Sequence, residues 1–297
     1  MSLDVGSEPA GSEPRLAGLD DDRRPKRLGA WLIWLAALVL MLMVSGAVAL
    51  AAQDAAIASG VNPAQLLKDP MSSPLVKDAG WVALGTLANE LSILAVLVAC
   101  VVLFKFSRRA VLPLARPRVA QLGGALLLVF GLAPLADLAG ELVHRVVQNQ
   151  VTAATVVGEA ARNATPLTLS CMLLCVAVVP GVVEEAMFRG LLTSAFLPGS
   201  AAAAVIVPSI MFGVFHLEPT QVAGTIILGM GFALVRLYTR SLGAGMVAHA
   251  VYNGSVILAL RYGGPPAAHR IAPIPLLIGA LMAALGVALL RRGRAAD

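Results

Sequence analysis

The chain has 297 residues, 58% of them hydrophobic and 13% charged, and its mean hydropathy is +0.84. That leaves too little polar surface to cover a soluble globule of this length, so a soluble fold is excluded and a polytopic membrane protein is expected. The net charge of +5 reflects topology and contact with anionic lipid, and no nucleic-acid partner is expected.

Residues 1–29 are rich in Gly, Ser, Pro and acidic side chains. They are too poor in apolar groups to pack a core and are expected to form a disordered tail. A helix needs about 20 apolar residues to cross the hydrocarbon core, and on that basis the chain carries about eight candidate spans. They run Ala30–Ala52, Trp81–Phe104, Val119–Leu138, Leu167–Leu192, Ala201–Leu217, Val222–Tyr238, Gly243–Leu260 and Ile271–Leu290. The first has signal-peptide features in Ala49 and Ala51 beside Gln53 and Asp54, but it exceeds the usual apolar core of about 7 to 15 residues and is read as an anchor. The fourth carries Pro180, which removes a backbone donor and clashes with the preceding turn, so a break is expected there. The fold class is therefore all-α, a polytopic transmembrane helix bundle with span four broken near Pro180.

Orientation follows from Lys and Arg in short loops. Arg23, Arg24, Lys26 and Arg27 precede span one, Lys105, Arg108, Arg109, Arg116 and Arg118 separate spans two and three, and Arg291, Arg292 and Arg294 follow span eight. These segments, with both termini, are expected on the cytoplasmic side. The Ala and Gly richness suggests a bacterium, hence an integral protein of the bacterial cytoplasmic membrane. The expected organisation is a tail (1–29), N-terminal spans (30–138), an external loop (139–166), a catalytic unit (167–262), and a last span with a basic tail (263–297).

Charged side chains at mid-bilayer cost about 2.5 to 3.5 kcal/mol on insertion scales, so those inside apolar runs need compensation and point to function. In span four, Glu185 and Arg189 are four apart and can pair on one helix face, while Glu184 points about 100 degrees away. A carboxylate beside Arg stays ionised, and the less compensated one can accept and return protons, which makes Glu184 the candidate base and Glu185 its electrostatic partner. His216 ends the fifth span one turn after Phe212, where an imidazole can orient water, bind a metal or face an oxyanion. His249 and Asn253, four apart in span seven, can reach one cavity, and the Asn amide suits an oxyanion hole. Together these are the parts of a hydrolytic site.

Other chemistry finds little support. There is no His-Glu-x-x-His, no Gly-x-Ser-x-Gly, and Gly229-Met-Gly231 lacks the third glycine of a dinucleotide loop. Cys100, Cys171 and Cys175 fall in apolar spans and are read as packing residues. Asn89 and Glu90 in span two can face the bundle interior and line a cavity. Asp137 and Glu141 mark a membrane boundary, and His144 and His269 are placed in solvated loops.

Glu184-Glu185-x-x-x-Arg189, Phe212-x-x-x-His216 and His249-x-x-x-Asn253, in that order, resemble the three signature motifs of the CPBP intramembrane glutamic endopeptidases. That family includes the CAAX prenyl endopeptidases and bacterial bacteriocin-processing or immunity proteins, among them lysostaphin resistance protein A-like and Abi proteins. The resemblance covers roughly Leu167 to Leu260. It implies an all-helical membrane endopeptidase in which Glu184 activates a water, His216, His249 and Asn253 position it and stabilise the oxyanion, and Glu185 and Arg189 support them. The family has also been described as metal-dependent. Glu184, His216 and His249 are the candidate zinc ligands, although a metal-free mechanism is favoured and no cofactor is expected.

Simple antiparallel threading sets Glu184 near the inner end of span four and His216 near the outer end of span five. A separate inserted segment, Gly181–Leu197, is expected to bring them level. The expected partners are the lipid bilayer and a peptide or protein substrate at the membrane, such as a peptide precursor, a bacteriocin or a membrane-protein tail. The competing readings are a non-catalytic scaffold or immunity protein and a proton-coupled transporter, the latter disfavoured because the halves show no repeat. Oligomeric state is not read from the sequence.

Overall fold

The computed structural model describes residues 23–68, 73, 77–148, 151–263 and 273–295. Most of the expected tail, residues 1–22, and His269 lie outside them. The described residues contain no strand. The helices are α1 (Arg27–Ala58), α2 (Pro63–Lys68), α3 (Ala79–Leu103), α4 (Arg108–Val111), α5 (Val119–Val147), α6 (Ala153–Asn163), α7 (Pro166–Leu192), α8 (Ala201–Phe215), α9 (Pro219–Thr239), α10 (Gly243–Tyr262) and α11 (Pro273–Ala295).

Seven of these, α1, α3, α5, α7, α9, α10 and α11, are long and apolar enough to cross a membrane, and α8 is a shorter apolar helix. With 15 residues, α8 extends about 22 Å, against a hydrocarbon core about 30 Å thick. A helix of that length does not cross the core by itself. Leu, Val and Ile side chains such as Leu32, Leu84, Leu91, Val98, Leu281 and Leu285 are at least half exposed, as lipid-facing surface requires.

Local chemistry sets the helix starts. Asp78, Thr152, Thr165, Ser200 and Glu218 each accept hydrogen bonds from backbone N–H groups of the turn that follows, satisfying donors that have no partner within the helix. Pro166 and Pro219 stand at first helical positions, where the missing N–H costs nothing. α5 runs past the expected Leu138 because no breaker intervenes before Gln148, which is left-handed at φ 50°. Glu141 and Arg145, paired at 3.0 Å, support that extension. His144, expected in a loop, is thus on the last turn of α5.

The broken span takes a different form from the one expected. α7 does not part into two bodies, and no separate Gly181–Leu197 segment exists. Instead two wide π segments, Leu173–Val178 and Glu185–Leu192, flank the regular turns Val179–Glu184. Such wide turns absorb a lost backbone hydrogen bond without ending the helix.

Small residues let the bundle close. A Cβ on Gly131 of α5 would lie 2.5 Å from the Ala283 nitrogen of α11, and one on Gly286 would lie 2.6 Å from the Leu128 nitrogen of α5. Gly124 and Gly131 on one helix thus interlock with Gly279 and Gly286 on the other, as small residues do at membrane helix contacts. α7 sits inside the bundle among α3, α8, α9 and α10.

One end of the bundle gathers the basic segments. Ser107 N–H donates to the Arg23 carbonyl at 2.8 Å, Arg118 reaches the Gly293 carbonyl at 3.3 Å, and Ser241 bonds the Ala115 carbonyl at 3.0 Å. The entry to α1, the α3–α5 connection, the α9–α10 turn and the end of α11 therefore lie together.

Candidate active site

The site begins with the defect in α7. Pro180 has no N–H to offer the carbonyl four residues back, which belongs to Val176. The Asn253 side chain of α10 donates to that carbonyl instead, through Nδ2 at 3.4 Å. Close approach of the two helices depends on Gly181, where a Cβ would stand 2.9 Å from the Ala250 nitrogen and 3.0 Å from the Met246 carbonyl.

That approach brings His249 against both acids of α7. Its Nδ1 is 3.2 Å from Glu185 Oε1 and its Nε2 is 3.4 Å from Glu184 Oε2. On a regular helix the two carboxylates diverge by about 100 degrees. Here the wide turns begin at Glu185, and one imidazole bridges both. A carboxylate only accepts, so Nδ1 carries the hydrogen toward Glu185 and Nε2 faces Glu184. Phe232 of α9 stacks on the imidazole, with centroids 4.6 Å apart and planes 18° from parallel, and fixes its plane.

Arg189 lies behind Glu185, with NH1 3.1 Å from Oε1 and the two side chains 0% and 1% exposed. The contact is close but off the N–H axis, since neither Nε nor NH1 completes a hydrogen bond. NH2 donates to the Gly229 carbonyl of α9 at 3.2 Å. The guanidinium carbon stands 4.1 Å from the Phe212 ring centroid and 5.2 Å from that of Phe232, so aromatic faces supply much of its compensation. Gly245 makes room for this arrangement, because a Cβ there would lie 2.9 Å from Glu185 Oε2.

His216 follows the end of α8, and its ring meets Phe212 at 4.8 Å between centroids. Its Nδ1 is 2.9 Å from the Phe212 carbonyl. A carbonyl only accepts, so Nδ1 carries the hydrogen and Nε2 is left for other partners. Phe188 of α7 packs on Phe212 at 5.1 Å. In an antiparallel pair that contact sets the register: with residue 188 opposite 212, residue 184 comes opposite 216. His216 is therefore level with the Glu pair, as expected, through the register of a continuous α7 against α8 and not through a separate inserted segment.

Of the expected site residues, Glu184, Glu185, Arg189 and His249 form one continuous contact chain. His216 joins it through Phe212, whose ring is 6.0 Å from that of His249. Asn253 is joined through Val176. The sequence reading did not include Phe232, Gly229 and Gly245, which resemble ordinary packing residues, and Glu90, which it read as a cavity-lining residue. Glu90 of α3 is 4% exposed, and its Oε2 is buried without a hydrogen-bond partner.

The zinc option does not fit these side chains. Among the described residues no three His, Cys, Asp or Glu side chains converge closely enough to hold a metal ion, and Glu184, His216 and His249 are not a preformed set. Cys171 and Cys175 are free thiols.

Residues 166–255 match the family described as Type II CAAX prenyl endopeptidase Rce1-like. The matched stretch runs from the start of α7 into α10 and holds all seven motif residues. No curated protein and no solved structure matches the chain.

Proposed function

We propose that the chain is an intramembrane endopeptidase hydrolysing a peptide bond of a membrane-associated protein or peptide with a glutamate-activated water, a reading that the match of residues 166–255 to a CAAX-protease family supports. The observation that carries this reading is the bridge of His249 between Glu184, at 3.4 Å, and Glu185, at 3.2 Å. It orients a carboxylate in a buried site with an imidazole locked in place behind it.

In this mechanism Glu184 removes a proton from water as the hydroxide oxygen attacks the substrate carbonyl carbon. Negative charge develops on the carbonyl oxygen. One amide hydrogen of Asn253 is engaged at Val176, and the second is free for that oxygen, with His216 facing it from the end of α8. Glu184 then passes its proton to the departing amine nitrogen as the C–N bond breaks, leaving a carboxylic acid and a free amine. Arg189 and Glu185 hold His249 in one tautomer, as a carboxylate does for a catalytic imidazole.

The gathering of Arg23–Arg27, Lys105–Arg118 and Arg291–Arg292 at one end supports cytoplasmic termini by the positive-inside rule, and the composition fits a bacterial cytoplasmic membrane. A peptide precursor or a membrane-protein tail is the substrate class this site would take.

Cleavage of a quenched peptide library by the full chain in liposomes, wild type against Glu184→Ala, tests the reading. Cleavage lost in the variant supports a protease. A folded wild type that cleaves nothing, in a strain where Glu184→Ala complements the deletion, transfers the function to a scaffold.

A further inference from the structure

α1 lies outside the matched stretch 166–255 and supplies none of the motif residues. Its buried stripe, Ala30, Ile33, Ala37 and Met41, packs in the same apolar cluster as Phe212 of α8. Beside that stripe Trp34, partly buried against the cluster, makes a polar contact with α8. Its indole Nε1–H donates to the Met211 carbonyl at 3.0 Å.

The contact falls on the turn that aims His216. On a regular helix the His216 N–H would bond the Phe212 carbonyl, four residues back. It bonds the Gly213 carbonyl instead, at 3.1 Å, and the Leu217 N–H bonds that of Val214, also at 3.1 Å, so the last turn is tightened. The chain then leaves the helix at Leu217, left-handed at φ 63°. The tightening frees the Phe212 carbonyl, and the His216 ring takes it through Nδ1–H at 2.9 Å. In a relaxed turn the backbone N–H would reclaim that carbonyl, and the imidazole would lose the partner that sets its tautomer.

Two neighbours hold the tightened turn from opposite sides, since Met211 and Gly213 are about 200 degrees apart around α8. α9 closes on Gly213, where a Cβ would stand 2.9 Å from the Val222 carbonyl. α1 holds the other side through Trp34. The Met211 carbonyl and the Phe212 N–H share one planar peptide unit, so the indole bond fixes the plane that directly precedes the Phe212 carbonyl.

We propose that Trp34 is a positioning residue of the active site, holding the last turn of α8 in the tightened form that leaves the Phe212 carbonyl to the His216 ring. This rests on the protease reading, in which His216 faces the reacting carbonyl oxygen. It gives α1 a part in the chemistry besides anchorage.

The test is nitrogen NMR of the full chain, isotope-labelled at histidine, in liposomes, with the His216 signal assigned by its loss in His216→Gln. Wild type should show the neutral ring with its hydrogen on Nδ1. Trp34→Phe keeps an aromatic ring but has no N–H, and it should shift His216 to a mixture of the two neutral tautomers. An unchanged His216 signal in folded Trp34→Phe overturns the proposal. Trp34→Gln returns an N–H of similar reach and should move the signal back toward wild type; a signal no nearer to wild type than that of Trp34→Phe overturns it as well. Trp31, whose ring meets Trp34 edge to face at 5.9 Å, is the control. Trp31→Phe should leave His216 as in wild type, and the same shift in both variants would trace the effect to α1 packing and overturn the proposal. In the cleavage assay Trp34→Phe should lower kcat about two-fold to ten-fold with KM held, the loss of one neutral hydrogen bond. A kcat equal to wild type contradicts the positioning role. The NMR signal needs no substrate, so a wild type that cleaves nothing removes the protease reading while the hold of Trp34 on His216 is still tested.

Discussion

Arg189 is a test of how the buried charges are balanced. Its NH1 stands 3.1 Å from Glu185 Oε1 and neither side chain is more than 1% exposed. At that separation the attraction is about 5 kcal/mol for an effective dielectric of about 20, the same order as the roughly 3 to 5 kcal/mol lost when one partner of a buried pair is removed. Arg189→Met therefore should destabilise by about 3 to 5 kcal/mol, because Glu185 is left with His249 alone. Glu185→Leu strands the guanidinium and should cost a similar amount, softened by the Phe212 and Phe232 faces at 4.1 and 5.2 Å. The double variant removes both charges, so its loss should fall short of the sum of the singles by at least about 2 kcal/mol. Equilibrium unfolding in mixed micelles measures all three. Single losses that simply add in the double variant would mean that the two charges do not compensate each other, and the argument from burial fails.

Other expectations follow from the same geometry. Gly245→Ala puts a methyl 2.9 Å from Glu185 Oε2. It should cost about 1 to 3 kcal/mol in unfolding titrations and lower kcat about ten-fold without touching a motif residue. Phe232→Ala removes the ring stacked 4.6 Å from His249 and should lower the cleavage rate about ten-fold by loosening the imidazole, read as kcat with KM held. Pro180→Ala restores an N–H toward Val176. It should leave thermal stability equal or higher while cleavage falls, because Asn253 then competes for its anchor and α7 straightens. Gly131→Leu, whose Cβ would lie 2.5 Å from the Ala283 nitrogen, should destabilise the α5–α11 contact by at least about 1 to 3 kcal/mol in unfolding titrations and leave the pH profile of cleavage unmoved.

Spacing alone carried part of this site. The i, i+4 rule places Arg189 beside Glu185, and the structure has that contact. The same rule sets His249 and Asn253 on one face, yet they meet different parts of α7, the acid pair and the Val176 carbonyl. Regular helix geometry could not foresee that, because the wide turns that begin at Glu185 depart from the 100-degree spacing on which such a reading rests. Pro180 signalled a defect but not its form, since a helix may break, kink or widen to absorb one lost donor. The sequence reading levels Glu184 and His216 through a separate inserted segment, whereas the register of the continuous α7 against α8 brings them there. The Gly124, Gly131, Gly279 and Gly286 contact was open to reading from the seven-residue spacing within each pair, and passed as ordinary composition.

The most direct measurement of the central claim is kcat for Glu184→Gln and for wild type, each folded in liposomes, on one cleaved peptide with and without a chelator. Glu184→Gln keeps the shape of the side chain and removes the base, so a loss of about a hundred-fold to ten-thousand-fold is expected, with wild-type activity indifferent to the chelator. A Glu184→Gln variant that cleaves at the wild-type rate contradicts the assignment of the base, and wild-type activity abolished by the chelator contradicts the metal-free water.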